Sequence, residues 1–217
     1  MSGAIVECDV VLFDMDGTLV DSTAIVERHW TRWASRNGIA VADILAVSHG
    51  RPTLDTLRLV APQLATEEAA AALDADEARD SDGVSPVCGA RELIASLPRA
   101  RWAVVTSADR PLAVARLTAA GLPVPAVLVT VEDVEHGKPH PAAYLYAAQR
   151  LSASIDRAVV VEDTPVGIQA GRAAGATVIG VTTTFAALDG CDHCVADLHG
   201  IRVVHSDDGQ IRLQVTR

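Results

Sequence analysis

The chain alternates between short apolar runs and longer segments whose apolar residues recur every three or four positions. Val10–Phe13, Trp102–Val105, 126–129, 158–161 and Thr177–Val181 are the apolar runs, mostly valine and isoleucine with alanine. Runs of four or five such residues predict strands buried on both faces. Between them, 111–120, 141–151 and Pro165–Ala174 carry helical periodicity, with proline in the first turn, where its missing N–H is tolerated. Strand and helix in alternation predict an α/β fold, a Rossmann-like, doubly wound parallel sheet. Its ligand site is expected outside the carboxyl ends of the strands.

Residues 22–85 break that rhythm. They are rich in alanine, glutamate and leucine, with helical periodicity at 25–36 and 67–79 and no convincing strand. This predicts a small α-helical domain, 22–85, inserted after the first strand into a discontinuous core of 1–21 and 86–217. Asp80-Ser81-Asp82-Gly83-Val84-Ser85-Pro86 has the composition of a return linker. Near the end, Ile201–His205 and 210–215 flank Asp207-Asp208-Gly209, the pattern of a structural hairpin.

Composition narrows the function classes. With 217 residues, 49% of them hydrophobic, the chain is long and apolar enough to bury a core. No apolar run approaches the ~20 residues that cross a bilayer, and no basic-then-apolar leader opens the sequence. A formal charge of −10 disfavours binding to nucleic acid or anionic membranes, so an anionic substrate needs its own local cations. Four cysteines, Cys8, Cys88, Cys191 and Cys194, are too few for a disulfide framework, which points to a reducing cytoplasm. Cys191-Asp192-His193-Cys194 lacks the second ligand pair of a zinc site and the following helix of a redox motif, so ordinary loop and core cysteines are expected.

The candidate chemistry begins where the first buried strand stops. Asp14-Met15-Asp16-Gly17-Thr18 follows Val10–Phe13 directly. Two carboxylates in such a place are expensive to desolvate unless a cation is present, and a divalent metal would meet that need. The competing reading is an ordinary Asp-Gly turn. Other strands end in residues suited to phosphate. Thr106-Ser107 could hold a phosphate oxygen near a helix N-terminus or merely cap the helix. Gly137-Lys138-Pro139-His140-Pro141 brings a lysine to the same sheet edge. Glu162-Asp163 ends a third apolar strand and suits metal ligation, though Asp163 could also cap the helix entered at Pro165.

In order and spacing these pieces resemble the four motifs of the haloacid dehalogenase-like hydrolases across nearly the whole chain. The insertion resembles the helical cap of the β-phosphoglucomutase-like branch. Ser48-His49-Gly50-Arg51, the Lys138 loop, Glu162-Asp163-Thr164-Pro165-Val166-Gly167 and Thr182-Thr183-Thr184-Phe185 resemble small sugar- and polyol-phosphate phosphatases of the glycerol-3-phosphatase and 2-deoxyglucose-6-phosphatase type. The resemblance implies that Asp14 is the nucleophile and Asp16 the general acid and base. It implies Mg²⁺ held by Asp14, the backbone carbonyl of Asp16 and Asp163, with Glu162 in or beside the shell. Thr106, Ser107 and Lys138 would bind the transferring phosphoryl group. His49, Gly50 and Arg51 would face the substrate from the cap, although Arg51 fits a solvated cap loop equally well. The implied substrate is a small phosphorylated sugar or polyol. A true dehalogenase lacks the second acid that Asp16 provides. A hexose-phosphate mutase differs in the cap, where histidine and arginine are expected at the positions of Val26 and Thr53. A sugar-phosphate sensor would have lost one of the chemical residues.

Overall fold

In the computed structural model, which describes residues 3–205 and 210–216, the first long apolar stretch divides between two sheets. It forms β1 (Ala4–Cys8) and β2 (Val10–Phe13), separated by Asp9. Asp9 donates its N–H to the Arg157 carbonyl at 2.8 Å and accepts from the Arg157 guanidinium at 3.1 Å, which pins the crossover. After the turn at residues 14–19 comes β3 (Val20–Asp21), then four helices: α1 (Thr23–Asn37), α2 (Val41–Ser48), α3 (Thr53–Val60) and α4 (Glu67–Ala78). The chain returns through β4 (Ser85–Pro86), which pairs antiparallel with β3. The expected linker is therefore a two-stranded tie. Trp30, Ala34, Ile44, Leu57 and Ala70 give the four helices a core of their own.

The rest of the chain builds the α/β layers: α5 (Ala90–Ser96), β5 (Trp102–Val105), α6 (Arg110–Ala119), β6 (Leu128–Val129), α7 (Ala142–Arg150), β7 (Ala158–Glu162), α8 (Pro165–Ala174), β8 (Thr177–Val181) and β9 (His193–Val195). Six parallel strands lie in the order β6-β5-β2-β7-β8-β9. Alternate residues serve opposite faces. Val11, Phe13, Trp102, Val104, Val159 and Val161 enter one core cluster; Val10, Leu12, Ala103, Val105 and Val160 join Ala143, Tyr144 and Ile168 from α7 and α8 in the other. The sheet is thus covered on both faces, as expected. Strand order reverses at β2, which places the carboxyl end of β2 at the switch point.

Two elements differ from the sequence reading, and a third is as expected but gains a further strand. The strand expected at 126–129 is only Leu128–Val129, although the Val127 carbonyl already accepts from Val104 N–H at 3.1 Å. The strand β9 was not evident from three residues, His193–Val195; Cys194 pairs in register with Gly180, and none of the four cysteines is in a disulfide. The expected hairpin is β10 (Ile201–His205) with β11 (Ile211–Val215), while its turn signal, 207–209, lies outside the described residues. β1 adds to the other side of β11, and this three-stranded sheet packs Val6, Ile201, Ile211 and Leu213 into the Phe13 core. Among the described residues no helix is long and apolar enough to cross a membrane.

Candidate active site

The end of β2 carries straight into the site. Asp14 donates its N–H to the Val161 carbonyl at 2.9 Å, extending the ladder with β7 by one residue and fixing its side chain. The chain then folds back on itself: Gly17 N–H donates to the Val20 carbonyl at 2.8 Å, and Leu19 and Val20 both donate to Met15. Gly17 has φ +83°, and a Cβ there would lie 2.0 Å from Asp163 Oδ2. Only glycine lets the turn close over Asp163.

Behind Asp14 lies a buried ion cluster. Lys138 Nζ donates to Asp14 Oδ1, to Glu162 Oε1 at 2.7 Å and to the Val105 carbonyl at 3.1 Å. Glu162 is fully buried and its oxygens accept throughout: Oε1 also from the Tyr144 hydroxyl at 2.9 Å, Oε2 from Asp163 N–H, Thr164 N–H and Thr164 Oγ1, each at 3.0 Å. Glu162 therefore orients Lys138 and the start of α8. Asp163 does not cap that helix. Thr164 does, accepting the Gly167 N–H at 3.2 Å.

Asp163 Oδ1 accepts from Thr18 Oγ1 at 2.9 Å, while Oδ2 is buried with no hydrogen-bond partner in the protein. Asp14, Glu162 and Asp163 each offer an oxygen, all within 4.8 Å of one another. Burial raises the Asp14 carboxyl well above the usual carboxylate range, opposed by Lys138 and reinforced by Glu162 and Asp163. Burial first, then the charge of Glu162, pushes Asp163 up to about 7, opposed by the neighbouring Thr184 and Thr18 hydroxyls. Three buried carboxylates against one lysine leave negative charge uncompensated. The orphaned Oδ2 and an all-oxygen donor set fit a hard divalent cation.

A cavity partly open to solvent lies between this end of the sheet and the inner side of the helical layer. Asp14, Asp16, Thr106, Ser107, His49, Gly50 and Arg51 all line it, so the sequence-predicted residues of both layers meet at one place. Lys138, Glu162 and Asp163 sit beneath its floor. The hydroxyls of the Thr106-Ser107 pair part company. Thr106 N–H is used by the sheet, donating to Val129, and its Oγ1 accepts from Ala108 N–H, leaving the hydroxyl proton for a ligand. Ser107 Oγ donates to the Gly50 carbonyl at 2.9 Å and so latches the core to the helical layer rather than pointing to phosphate. Gly50 has φ +74°, and a Cβ there would come within 2.7 Å of Thr164 Oγ1, so this turn presses on the start of α8. The His49 ring meets Phe185 edge-on at 6.0 Å, and burial holds its imidazole below the ordinary value. Arg51 Nη1 donates to the Val47 carbonyl at 2.7 Å, in the last turn of the preceding helix α2.

Sequence reasoning did not single out Tyr144, Ser22, Asp74, Glu77 or Arg116, and gave Thr18 no role beyond its place in the first motif. Ser22 Oγ donates to Asp16 Oδ1 at 2.8 Å, and Arg116 Nη1 donates to Asp16 Oδ2 at 2.7 Å. Asp74 accepts from Thr53 Oγ1, and burial pushes its carboxyl up to about 6.

The family model described as haloacid dehalogenase-like hydrolase matches residues 8–175. The chain belongs to that family. Among its relatives, hexitol phosphatase A of Escherichia coli (strain K12) is 41% identical over 214 residues, spanning 95% of this chain and 99% of that protein. 2-Deoxyglucose-6-phosphate phosphatase 1 of Saccharomyces cerevisiae is 34% identical over 233 residues, with 95% of each chain covered. The crystal structure of a hydrolase from Pseudomonas syringae superposes with a TM-score of 0.76 at 26% identity, covering 88% of this chain and 94% of that one. The haloacid dehalogenase-like fold thus carries a site whose acids and threonine come from the ends of three strands, β2, β5 and β7, and whose lysine comes from the loop before α7.

Proposed function

We propose that this haloacid dehalogenase-like hydrolase is a Mg²⁺-dependent phosphatase acting on phosphate monoesters of small sugars or polyols, the class to which its named relatives belong. The observation that carries the reading is Asp14, buried at the cavity floor beside Lys138 and the unpartnered Oδ2 of Asp163, with a second carboxylate, Asp16, two residues on. Mg²⁺, held by Asp14, Asp163 and the Asp16 backbone carbonyl with Glu162 adjoining, would draw charge from the phosphoryl oxygens.

The protein's own groups divide the rest. Lys138 holds Asp14 Oδ1 and leaves Oδ2 to attack phosphorus, giving an aspartyl-phosphate. As the P–O bond to the alcohol breaks, its electrons go to the leaving oxygen and Asp16 supplies the proton. Asp16, now a carboxylate, takes a proton from the water that attacks the aspartyl-phosphate; the products are inorganic phosphate and free Asp14. Thr106 donates to a phosphoryl oxygen. Residues 22–85 act as a cap on the β3–β4 tie, excluding water from the cavity. Val26 and Thr53, where a mutase would carry histidine and arginine, both line the cavity and favour hydrolysis over transfer back to sugar. We place the enzyme in the cytoplasm, where its cysteines, none in a disulfide, stay reduced.

The test is phosphate release from a panel of hexose, pentose, hexitol and glycerol phosphates with Mg²⁺. The expected result is turnover of several members and its loss in EDTA. Undiminished turnover without a divalent ion, or no turnover of any member, would overturn the proposal.

A further inference from the structure

On α6 the buried residues are Leu112, Ala113, Arg116 and Leu117. Arg116 thus occupies an apolar stripe and is only 7% exposed. Its guanidinium is two-ended. Nη1 donates to Asp16 Oδ2 at 2.7 Å, while Nη2 lies 2.7 Å from Oε1 of Glu77, on α4 of the helical layer, an ion contact without the alignment of a hydrogen bond. Its Nε is buried without a hydrogen-bond partner. Such an arrangement is poorly explained by stability. Desolvating three charges offsets most of their attraction, and an apolar side chain of similar volume usually serves a core as well or better. What arginine adds is geometry: a rigid planar fork that holds two carboxylates at a fixed separation. One of them is the group assigned here to proton transfer, and the other belongs to the layer that closes over it. The second oxygen of Asp16 is held by Ser22, at the entrance to α1. Both oxygens of that carboxylate are therefore tied at the border of the two layers, and each keeps a lone pair for a transferred proton.

We infer that Arg116 is a positioning residue, a clasp whose one arm orients Asp16 and whose other arm anchors on Glu77, so that the proton donor is aligned when the cap is seated. The inference rests on the assignment of Asp16 as acid and base. Arg116 itself transfers no proton and touches no phosphorus.

The experiment compares kcat/KM for two substrates with Mg²⁺: glucitol 6-phosphate, whose alkoxide must be protonated as it leaves, and 4-nitrophenyl phosphate, whose phenolate leaves without help. Arg116→Met strands Glu77 in the interior, so the double variant Arg116→Met/Glu77→Gln, which removes both buried charges, is measured beside it. The clasp predicts a loss of ~10²-fold or more on glucitol 6-phosphate, within the ~10²–10⁴ range of general acid–base help, and less than ~10-fold on 4-nitrophenyl phosphate. Arg116→Lys, which reaches one carboxylate, should recover part of the loss. Equal losses on both substrates, or none on either, would refute the clasp. Asp16→Asn is the reference. If it shows the leaving-group dependence and the Arg116 variants do not, the clasp alone fails. If Asp16→Asn lacks it too, the assignment of Asp16 falls, and the clasp with it.

Discussion

Asp163 makes the stability of the metal-free protein run against pH in a way that can be measured. Its carboxyl titrates near 3.8 in an unfolded chain and at about 7 in the folded one, because it is buried beside Glu162. Between those values the folded state holds a proton that the unfolded state has released. The group therefore imposes no penalty below about pH 4, and the penalty grows as pH rises and levels off above about 7. Moving from pH 5 to pH 7.5 in EDTA should then destabilise the fold by on the order of 2–3 kcal/mol through this residue. At roughly 2–4 °C per kcal/mol for a chain of this length, the melting midpoint should drop by about 5–10 °C. Asp14, raised in the same direction by burial, adds to the fall.

The assay is thermal unfolding of wild type and Asp163→Asn at pH 5 and pH 7.5, each in EDTA and in excess Mg²⁺. Distant carboxylates titrate alike in both proteins, so the difference between them reports Asp163 together with its push on Asp14. In EDTA, Asp163→Asn should gain on wild type as pH rises. A cation present at ~100 times its dissociation constant returns about 2.7 kcal/mol, so Mg²⁺ should rescue wild type at pH 7.5 and do little for the variant. A pH-independent gap between the two proteins, or equal protection of both by Mg²⁺, would refute the picture of uncompensated charge around Asp163 Oδ2.

Three further outcomes follow from the site. Asp14→Asn should form no covalent phospho-enzyme, whereas Asp16→Asn, given acetyl phosphate, should accumulate one on the peptide containing Asp14, at ~80 Da by mass spectrometry after rapid quench; equal labelling of both variants refutes the division of roles. Tyr144→Phe removes one of the two side-chain donors to Glu162 Oε1 and should cost about 1–3 kcal/mol in urea unfolding, the worth of a hydrogen bond to a charged group, with Lys138 still bound; no loss of stability would show that the hydroxyl is dispensable. His49→Ala and Arg51→Ala should shift relative kcat/KM across the phosphate panel, His49 the more strongly, because Arg51 is tied to Val47 while the His49 ring packs on Phe185 at the cavity; unchanged substrate profiles would take both out of selectivity.

How much of this was legible in the sequence depends on where a charge interrupts its element. Asp14, Glu162 and Asp163 stand out because a strand buried on both faces has no position where a carboxylate belongs, so an acid at its end demands a partner. The alternation of such strands with helices also sufficed for the doubly wound core. The cap was read only in part. α2 and α3 have eight residues each and no capping side chain, and Val41–Ser48 is apolar on nearly every side, so periodicity had little to grip. Pairing partners far apart in the chain were equally out of reach, as with Ser107 and Gly50 or β1 and β11.

Arg116 shows why the same signal is weaker in a helix. It violates the buried stripe as plainly as Asp14 violates its strand, lying one turn after Leu112 and beside Leu117. A helix, however, always has a solvent face, and a long arginine can bury its stem while its head reaches water, so the sequence permits the bland reading. Tyr144 hides in the same manner, since a buried tyrosine on α7 is ordinary until Glu162 is seen to accept from it. Glu77 offers even less, being one acid among many on an alanine-rich helix. Neither end of the clasp carries a signal alone, because what defines it is that α4 and the turn after β2 bring two carboxylates to opposite sides of one guanidinium on α6. On the assignment proposed above the motifs carry the reacting atoms; the parts that hold them in register are a property of packing between the layers.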